Sequence, residues 1–136
     1  VMMPAEESAR RGLEPLARIV AVGQASAAPS RIAVVPALAA QDALRRAGLT
    51  PAEIDLWEIN EAFAAVTLVS IKELGIDPEL VNVNGGSVAI GHPVGATGAR
   101  ILMALIYELR RRGGKYGLAT ICGAGAHGQA MIVEAT

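Results

Sequence analysis

The stretch NVNGGSVAIGHPVGATGAR, residues 82–100, carries more information about the architecture than any other part of the sequence. Its glycines permit positive φ angles and a close approach of the backbone to a ligand. Tight turns between strands and helices are the alternative explanation for the same glycines. Eleven of the 15 glycines lie between Gly85 and Gly128, a region that includes this stretch and a second loop over 123–128. Both histidines and the only cysteine lie in or beside these two loops, so chemistry is expected there.

Strand and helix patterns alternate around this stretch. The apolar face of Ile101, Leu105 and Leu109 predicts a helix over 97–112, which two glycines end. Further helices are predicted over 4–11, 36–47 and 61–74, and strands over 16–22, 54–59, 80–83, 118–122 and 129–134. After the first helix the order is β-α-β-α-β-α-β-β. This order predicts an α/β fold, with a mixed, mostly parallel β-sheet, helices on both of its faces and a C-terminal antiparallel hairpin.

The composition excludes several classes of function. The chain has 136 residues, which fits one domain, and its 12 basic and 13 acidic side chains with 3% aromatics argue against nucleic-acid binding. No apolar stretch is as long as a bilayer span, so no membrane association is expected. The single cysteine forms no internal disulfide, and no Cys/His cluster has zinc spacing, so no metal is expected. A free thiol suits a reducing compartment, which predicts a cytoplasmic location.

Three polar residues are candidates for chemistry, each with a structural alternative. His92 can act as a base near neutral pH, although loop histidines are more often bonded to a carbonyl. Cys122 lies between an apolar strand and a glycine loop and could react or carry a proton, although most cysteines are small core residues. Asn60 either caps the helix predicted from Glu61, which is the default, or holds a water or polar ligand at the edge of the sheet.

Other features receive structural interpretations. His127 could be a site residue but is interpreted as a loop residue, and the arginines at 110–112 are interpreted as a solvated helix end instead of an anion site. Glu58 and Glu61 could be acid/base groups, but salt bridges are the commoner role and are expected here. The 26 alanines indicate helices that pack closely against strands and against other subunits.

Three segments taken together resemble the thiolase family. They are Asn60-Glu61-Ala62-Phe63-Ala64-Ala65, residues 82–100, and Gly117-Leu118-Ala119-Thr120-Ile121-Cys122, in this order. The resemblance is to the C-terminal half of that family and extends from Arg11 to Glu134. It implies that residues 1–136 form a thiolase C-terminal domain whose first strand is truncated and whose N-terminal domain is absent.

The resemblance also implies a reaction. Thiolases perform a reversible Claisen condensation, in which two acyl-CoA thioesters such as acetyl-CoA give a 3-ketoacyl-CoA such as acetoacetyl-CoA and free CoA. Coenzyme A thioesters are the substrates and no cofactor is expected. The expected partner is an N-terminal thiolase half that carries the nucleophilic cysteine, in a homodimer or homotetramer. The alternative is a non-catalytic acyl-CoA-binding or assembly module built on the same fold.

Site roles follow from the resemblance residue by residue. His92 matches the histidine that activates the nucleophile and lines an oxyanion hole, and Asn60 matches the asparagine that holds a water of that hole. Cys122 matches the acid/base cysteine that moves a proton on the substrate α-carbon. The backbone N–H of Ala124 matches a donor to the acyl-enzyme oxyanion. Phe63 matches a residue near the pantetheine arm of CoA.

Gly91 and Gly123, which precede His92 and follow Cys122, complete the predicted substrate-binding set. Two departures from the family pattern affect this set. The run Gly123-Ala124-Gly125-Ala126 has alanines in place of glycines, which predicts a reshaped oxyanion hole. The sequence Ile32-Ala33-Val34-Val35-Pro36 replaces a glycine-containing motif, which puts substrate contacts from that loop in doubt.

Overall fold

The computed structural model describes residues 1–136, which form nine regular elements and three short 3-10 turns. The helices are α1 (Ala5–Arg10), α2 (Val35–Ala47), α3 (Ala64–Leu74), α4 (Ser87–Ile90) and α5 (Thr97–Arg112). The strands are β1 (Ala17–Ser26), β2 (Leu56–Ile59), β3 (Tyr116–Gly123) and β4 (His127–Ala135). The 3-10 turns are Pro29–Arg31, Pro51–Glu53 and Pro78–Leu80. None of the helices is both long and apolar enough to cross a bilayer.

The four strands form one mixed sheet in the order β1-β4-β3-β2. The β2 and β3 strands are parallel, whereas β4 is antiparallel to both β3 and β1. The predicted C-terminal hairpin is therefore confirmed. The expectation of a mostly parallel sheet is wrong for this chain, because only one of the three pairings is parallel.

The strand predicted over 80–83 does not form. Only Val81 makes an isolated parallel bridge, to Trp57. The next residue, Asn82, has a positive φ of 48° and turns the backbone away. Its side chain takes over the pairing, since Oδ1 accepts from the Ile59 N–H at 2.8 Å and Nδ2 donates to the Ile59 carbonyl at 2.9 Å. The sheet thus continues through one side chain instead of a fifth strand.

Helices cover both faces of the sheet, as predicted. The α2 helix packs on one face with a row of buried alanines, in a cluster that includes Trp57, Leu118 and Ile132. The α5 helix packs on the other face through Ile101, Leu105 and Leu109. The sheet is therefore held between two apolar layers, and the carboxyl ends of β2 and β3 are left at one edge.

The β1 strand extends past Gly23, where the sequence predicts its end. A Cβ atom at Gly23 would lie 2.2 Å from the Ala39 carbonyl oxygen and 2.4 Å from the Ala43 nitrogen. The glycine is thus required by the close approach of α2 and does not end the strand.

Gly23→Ala should destabilise the protein by about 3 kcal/mol, at the upper end of the usual effect of overpacking, because the neighbouring atoms belong to the helix backbone. Thermal unfolding of the variant checks this. Gly98→Ala is the matched control, because a Cβ there meets no atom within 4 Å. Equal unfolding midpoints for the two variants would contradict the close packing.

Candidate active site

A cleft of about 450 Å³ opens at the carboxyl ends of the parallel strands β2 and β3. Such edges of α/β sheets are the usual place for ligands. Its lining combines small apolar residues with a thiol and two imidazoles: Ile32, Ala62, His92, Val94, Ile121, Cys122, Gly123, Ala124, His127 and Gln129. The two glycine loops therefore meet at one site.

Cys122 is half-buried near the end of β3, where it pairs with Gly128 across the hairpin. A Cβ atom at Gly128 would lie 2.2 Å from the Val35 carbonyl oxygen, so only glycine lets this end of the hairpin approach α2. Burial raises the pKa of the Cys122 thiol above its ordinary value of 9.0. At neutral pH the side chain is therefore a thiol that can give a proton.

His92 is half-buried in the loop between α4 and α5. Its Nδ1 lies 2.7 Å from the Oγ1 of Thr97, a residue with no exposed surface. Thr97 Oγ1 in turn donates to the Pro93 carbonyl at 2.9 Å. The ring is thus held from behind by the first turn of α5.

Asn60 follows β2 directly and is 1% exposed. Its backbone N–H continues the ladder to the Thr120 carbonyl at 3.0 Å. Its Oδ1 accepts from Ser87 Oγ at 2.6 Å, and its Nδ2 lies 3.5 Å from His92 Nε2. The default interpretation of Asn60 as a helix cap is wrong, because α3 begins only at Ala64, with Phe63 at the cap position.

Glu61 and Asn82 join the segment after β2 to the glycine stretch. Asn82 Nδ2 donates to Glu61 Oε1 at 2.9 Å, and the Val88 N–H donates to Glu61 Oε2 at 2.8 Å. The carboxylate fills the space beside Gly86, where a Cβ atom would lie 2.2 Å from its carbon. These bonds fix the loop that carries Ser87 to Asn60.

The two alanines that replace glycines in the hairpin loop, Ala124 and Ala126, differ in backbone conformation. Ala124 lines the cleft and keeps a negative φ, so its backbone is not strained. Ala126 instead takes the left-handed conformation, with φ of 57°, and is buried. The strain of replacing glycine therefore falls at Ala126 and not at Ala124, whose N–H the resemblance matches to an oxyanion donor.

Glu58 lies on β2 and is 4% exposed. Neither it nor Glu61 forms an ion pair within 4 Å, so their interpretation as salt-bridge residues is wrong. Burial raises the pKa of Glu58 to about 7; the positive charge of Arg100 opposes this shift and the negative charge of Glu61 adds to it. Arginines 111 and 112 do form ion pairs, with Glu108.

Glu58→Gln should make the protein more stable at pH 8 but not at pH 4. The unfolded carboxyl titrates near 4.5 and the folded one near 7, so stability falls as the pH rises between these values. The amide avoids this loss, which is on the order of 3 kcal/mol above pH 7. Thermal unfolding from pH 4 to 8, with the exposed Glu79→Gln as control, checks it. Parallel pH curves for wild type and Glu58→Gln would contradict it.

The structure brings together most of the predicted site residues. His92, Cys122, Gly123 and Ala124 line the cleft, and Asn60 lies behind His92. Gly91 adjoins His92 but does not line the cleft, and Phe63 is 69% exposed outside it.

Several residues of the cleft are not predicted from the sequence. Ile32 lines the cleft, so the altered loop before α2 does contribute to it. Ala62 and Gln129 also line it, but neither belongs to a sequence pattern that predicts a functional site. His127, interpreted as a loop residue, also lines the cleft, and its Nδ1 lies 2.8 Å from Ser26 Oγ. The described residues contain no group of three or more His, Cys, Asp or Glu side chains that could hold a metal ion.

The chain is similar to known proteins of a single family over nearly its whole length. Residues 13–135 match the family model described as the thiolase C-terminal domain. The chain is 51% identical over 134 residues to the acetyl-CoA acetyltransferase of Rhizobium meliloti, and 49% identical to the cytosolic acetyl-CoA acetyltransferase of Mus musculus. These matches cover 98% of this chain and 34% of each relative, so the chain spans about a third of their length.

Solved structures show the same relationship. The Bacillus anthracis acetyl-CoA acetyltransferase superposes with a TM-score of 0.95 at 46% identity, over 98% of this chain and 34% of the other. Human mitochondrial 3-ketoacyl-CoA thiolase superposes with a TM-score of 0.94 at 42% identity, over 97% and 34%.

Proposed function

The chain belongs to the thiolase family, and we propose on this premise that it supplies the proton-transfer part of an acetyl-CoA acetyltransferase site. The observation that carries the proposal is the meeting of Cys122 and His92 in one cleft, with Asn60 held behind the imidazole. The remainder of the site, including the nucleophilic cysteine, belongs to an N-terminal thiolase half.

The thiol of Cys122 serves both directions of the reaction. In cleavage, the nucleophile of the other half attacks the keto carbon and the bond between the two acyl units breaks. The bonding electrons move to the α-carbon of the departing acetyl-CoA, and the Cys122 S–H gives its proton to that carbon. In condensation, the Cys122 side chain in its thiolate form removes the same proton, and the new carbon–carbon bond forms to the acyl carbon. The bond from that carbon to the sulfur of the nucleophile breaks, and this sulfur takes its proton back from His92.

His92 and Asn60 stabilise the negative charge that develops on the substrate. A thioester α-carbon is a very weak acid, so its deprotonation requires donors fixed on the developing enolate oxygen. His92 takes the proton of the attacking nucleophile and later donates to this oxygen, and the Asn60 amide holds the water that completes the contact. The Ala124 N–H, in the unstrained part of the hairpin loop, serves the oxyanion of the acyl-enzyme.

We also propose the substrates, the cellular location and the oligomeric state of the complete protein. Acetyl-CoA and acetoacetyl-CoA are its substrates, without a cofactor. The complete protein is proposed to be a cytoplasmic homodimer or homotetramer. The apolar side chains exposed on this chain include Phe63, Leu68 and Val88.

A chimera tests the proposal. The C-terminal third of the Rhizobium meliloti enzyme is replaced by this chain, at the boundary of their alignment, and cleavage of acetoacetyl-CoA with CoA is assayed. We expect turnover within about tenfold of the parent, since the proton-transfer groups are all present. A chimera that assembles like the parent but does not turn over would favour the non-catalytic acyl-CoA-binding or assembly module.

A further inference from the structure

Two buried hydroxyls outside the cleft bind His92, which lines the cleft, and Asn60, which lies behind His92. We propose that Thr97 and Ser87 are positioning residues that fix, respectively, the tautomer of His92 and the orientation of the Asn60 amide. The inference rests on the proposed function for its catalytic consequence, but the geometry behind it is independent of any reaction.

The Thr97 hydroxyl has a single hydrogen, and the Pro93 carbonyl takes it at 2.9 Å. The oxygen can then only accept from His92 Nδ1, which lies 2.7 Å away. The proton of the neutral imidazole therefore resides on Nδ1. Nε2 therefore carries a lone pair and no hydrogen, which is what a base requires.

The Ser87 hydroxyl constrains the Asn60 amide in the same way. Arg100 Nη2 lies 3.0 Å from Ser87 Oγ, and a guanidinium can only donate. The hydrogen of Ser87 is then free for the Asn60 Oδ1 at 2.6 Å. With its oxygen bound there, the amide presents Nδ2, a donor, toward His92 Nε2 at 3.5 Å.

The two constraints agree with each other. A reversed amide would place Asn60 Oδ1 against the lone pair of His92 Nε2. It would also leave the Ser87 hydrogen without an acceptor in a buried position, at a cost of about 1–3 kcal/mol. The hydrogen bonds therefore run in one direction, from Arg100 through Ser87 and Asn60 to His92, and His92 donates in turn to Thr97.

This direction has a catalytic consequence. The nitrogen that must accept the proton of the nucleophile, Nε2, carries no hydrogen before substrate arrives, and the Asn60 amide already points its donor toward it. The opposite tautomer would place a hydrogen on that nitrogen and remove the base. Neither hydroxyl lines the cleft, so neither is expected to alter substrate affinity.

Thr97→Val in the chimera tests the first constraint, since valine keeps the shape and removes the hydroxyl. We expect kcat to fall about 100-fold, the usual effect of misplacing a catalytic group, with KM changed less than threefold. Thr97→Ser restores the hydroxyl and should recover kcat to within about threefold of the parent. Thr67→Val is the matched control, because Thr67 is buried and its hydroxyl has no hydrogen-bond partner.

Ser87→Ala tests the second constraint and should lower kcat about tenfold, because one hydrogen bond that orients the amide is lost. Equal kcat in Thr97→Val, Ser87→Ala and the active parent would overturn the inference and leave the proposed function standing.

If the chimera is inactive, ¹⁵N NMR of labelled histidine still measures which ring nitrogen of His92 carries the proton. The inference requires that neutral His92 carry its proton on Nδ1 and that Thr97→Val lose this preference. A proton on Nε2 in the unsubstituted chimera would overturn it. A proton on Nδ1 in an inactive chimera would support the geometry while the proposed function fails.

Discussion

Cys122→Ala in the chimera should lower kcat for acetoacetyl-CoA cleavage about 1,000-fold, within the range that a positioned acid or base contributes. The reason is that the leaving enolate then receives no proton from the enzyme. Because burial raises the thiol's pKa, the wild-type group is in its proton-giving form at neutral pH, and cleavage should persist into alkaline solution. Steady-state assay across pH 6 to 10 checks both points.

The control for this result is a neighbour that also lines the cleft. Ile121→Val removes one methyl group beside Cys122 without touching a polar atom, so it should change kcat less than about threefold. Near-normal turnover by Cys122→Ala would remove this residue from the reaction. Cys122→Ser should remain strongly impaired, because a hydroxyl is a much weaker acid than a thiol.

His92→Ala should lower kcat about 1,000-fold or more, since the substitution removes both the base for the nucleophile and a donor to the enolate oxygen. The first loss should appear as slow acylation of the nucleophilic cysteine, which a burst of CoA released from acetyl-CoA measures separately from turnover, since this acyl transfer breaks no carbon–carbon bond. The burst should be slowed in His92→Ala and retained in Cys122→Ala.

The second histidine of the cleft provides the matched control for this prediction. His127 Nδ1 is engaged by Ser26, and the residue has no contact with Asn60 or Thr97 among its hydrogen bonds. His127→Ala should therefore lower kcat less than about tenfold, an effect of altered lining only. If His127→Ala were the more damaging variant, the assignment of the base to His92 would be wrong.

The elements that the sequence predicts well are those with local signals. The α5 helix begins and ends where its apolar face and the following glycines predict, and the hairpin of β3 and β4 forms around its glycine loop. The prediction failed where a distant contact decided the outcome. Gly23 lies within a strand because α2 approaches it, and the pairing expected over 80–83 is made by the side chain of Asn82.

In the site, too, the features with local sequence signals are predicted and those that depend on distant contacts are not. The motif around His92 and the strand end at Cys122 are visible in the sequence, and the structure places both in the cleft. The surroundings of Asn60 are not visible, because its partners Ser87 and His92 lie 27 and 32 residues away along the chain. A local rule therefore favoured a helix cap. The supporting hydroxyls of Ser87 and Thr97 become apparent only when hydrogen bonds can be followed from residue to residue.

Exchange of the methyl hydrogens of acetyl-CoA with deuterium from the solvent isolates the proton transfer that we propose for this chain. The chimera is incubated with acetyl-CoA in deuterium oxide, and label in the methyl group is followed by mass spectrometry. We expect the rate of exchange to fall at least about 100-fold in Cys122→Ala, in line with the contribution of a positioned base. Exchange that proceeds at the same rate without the Cys122 thiol would contradict it.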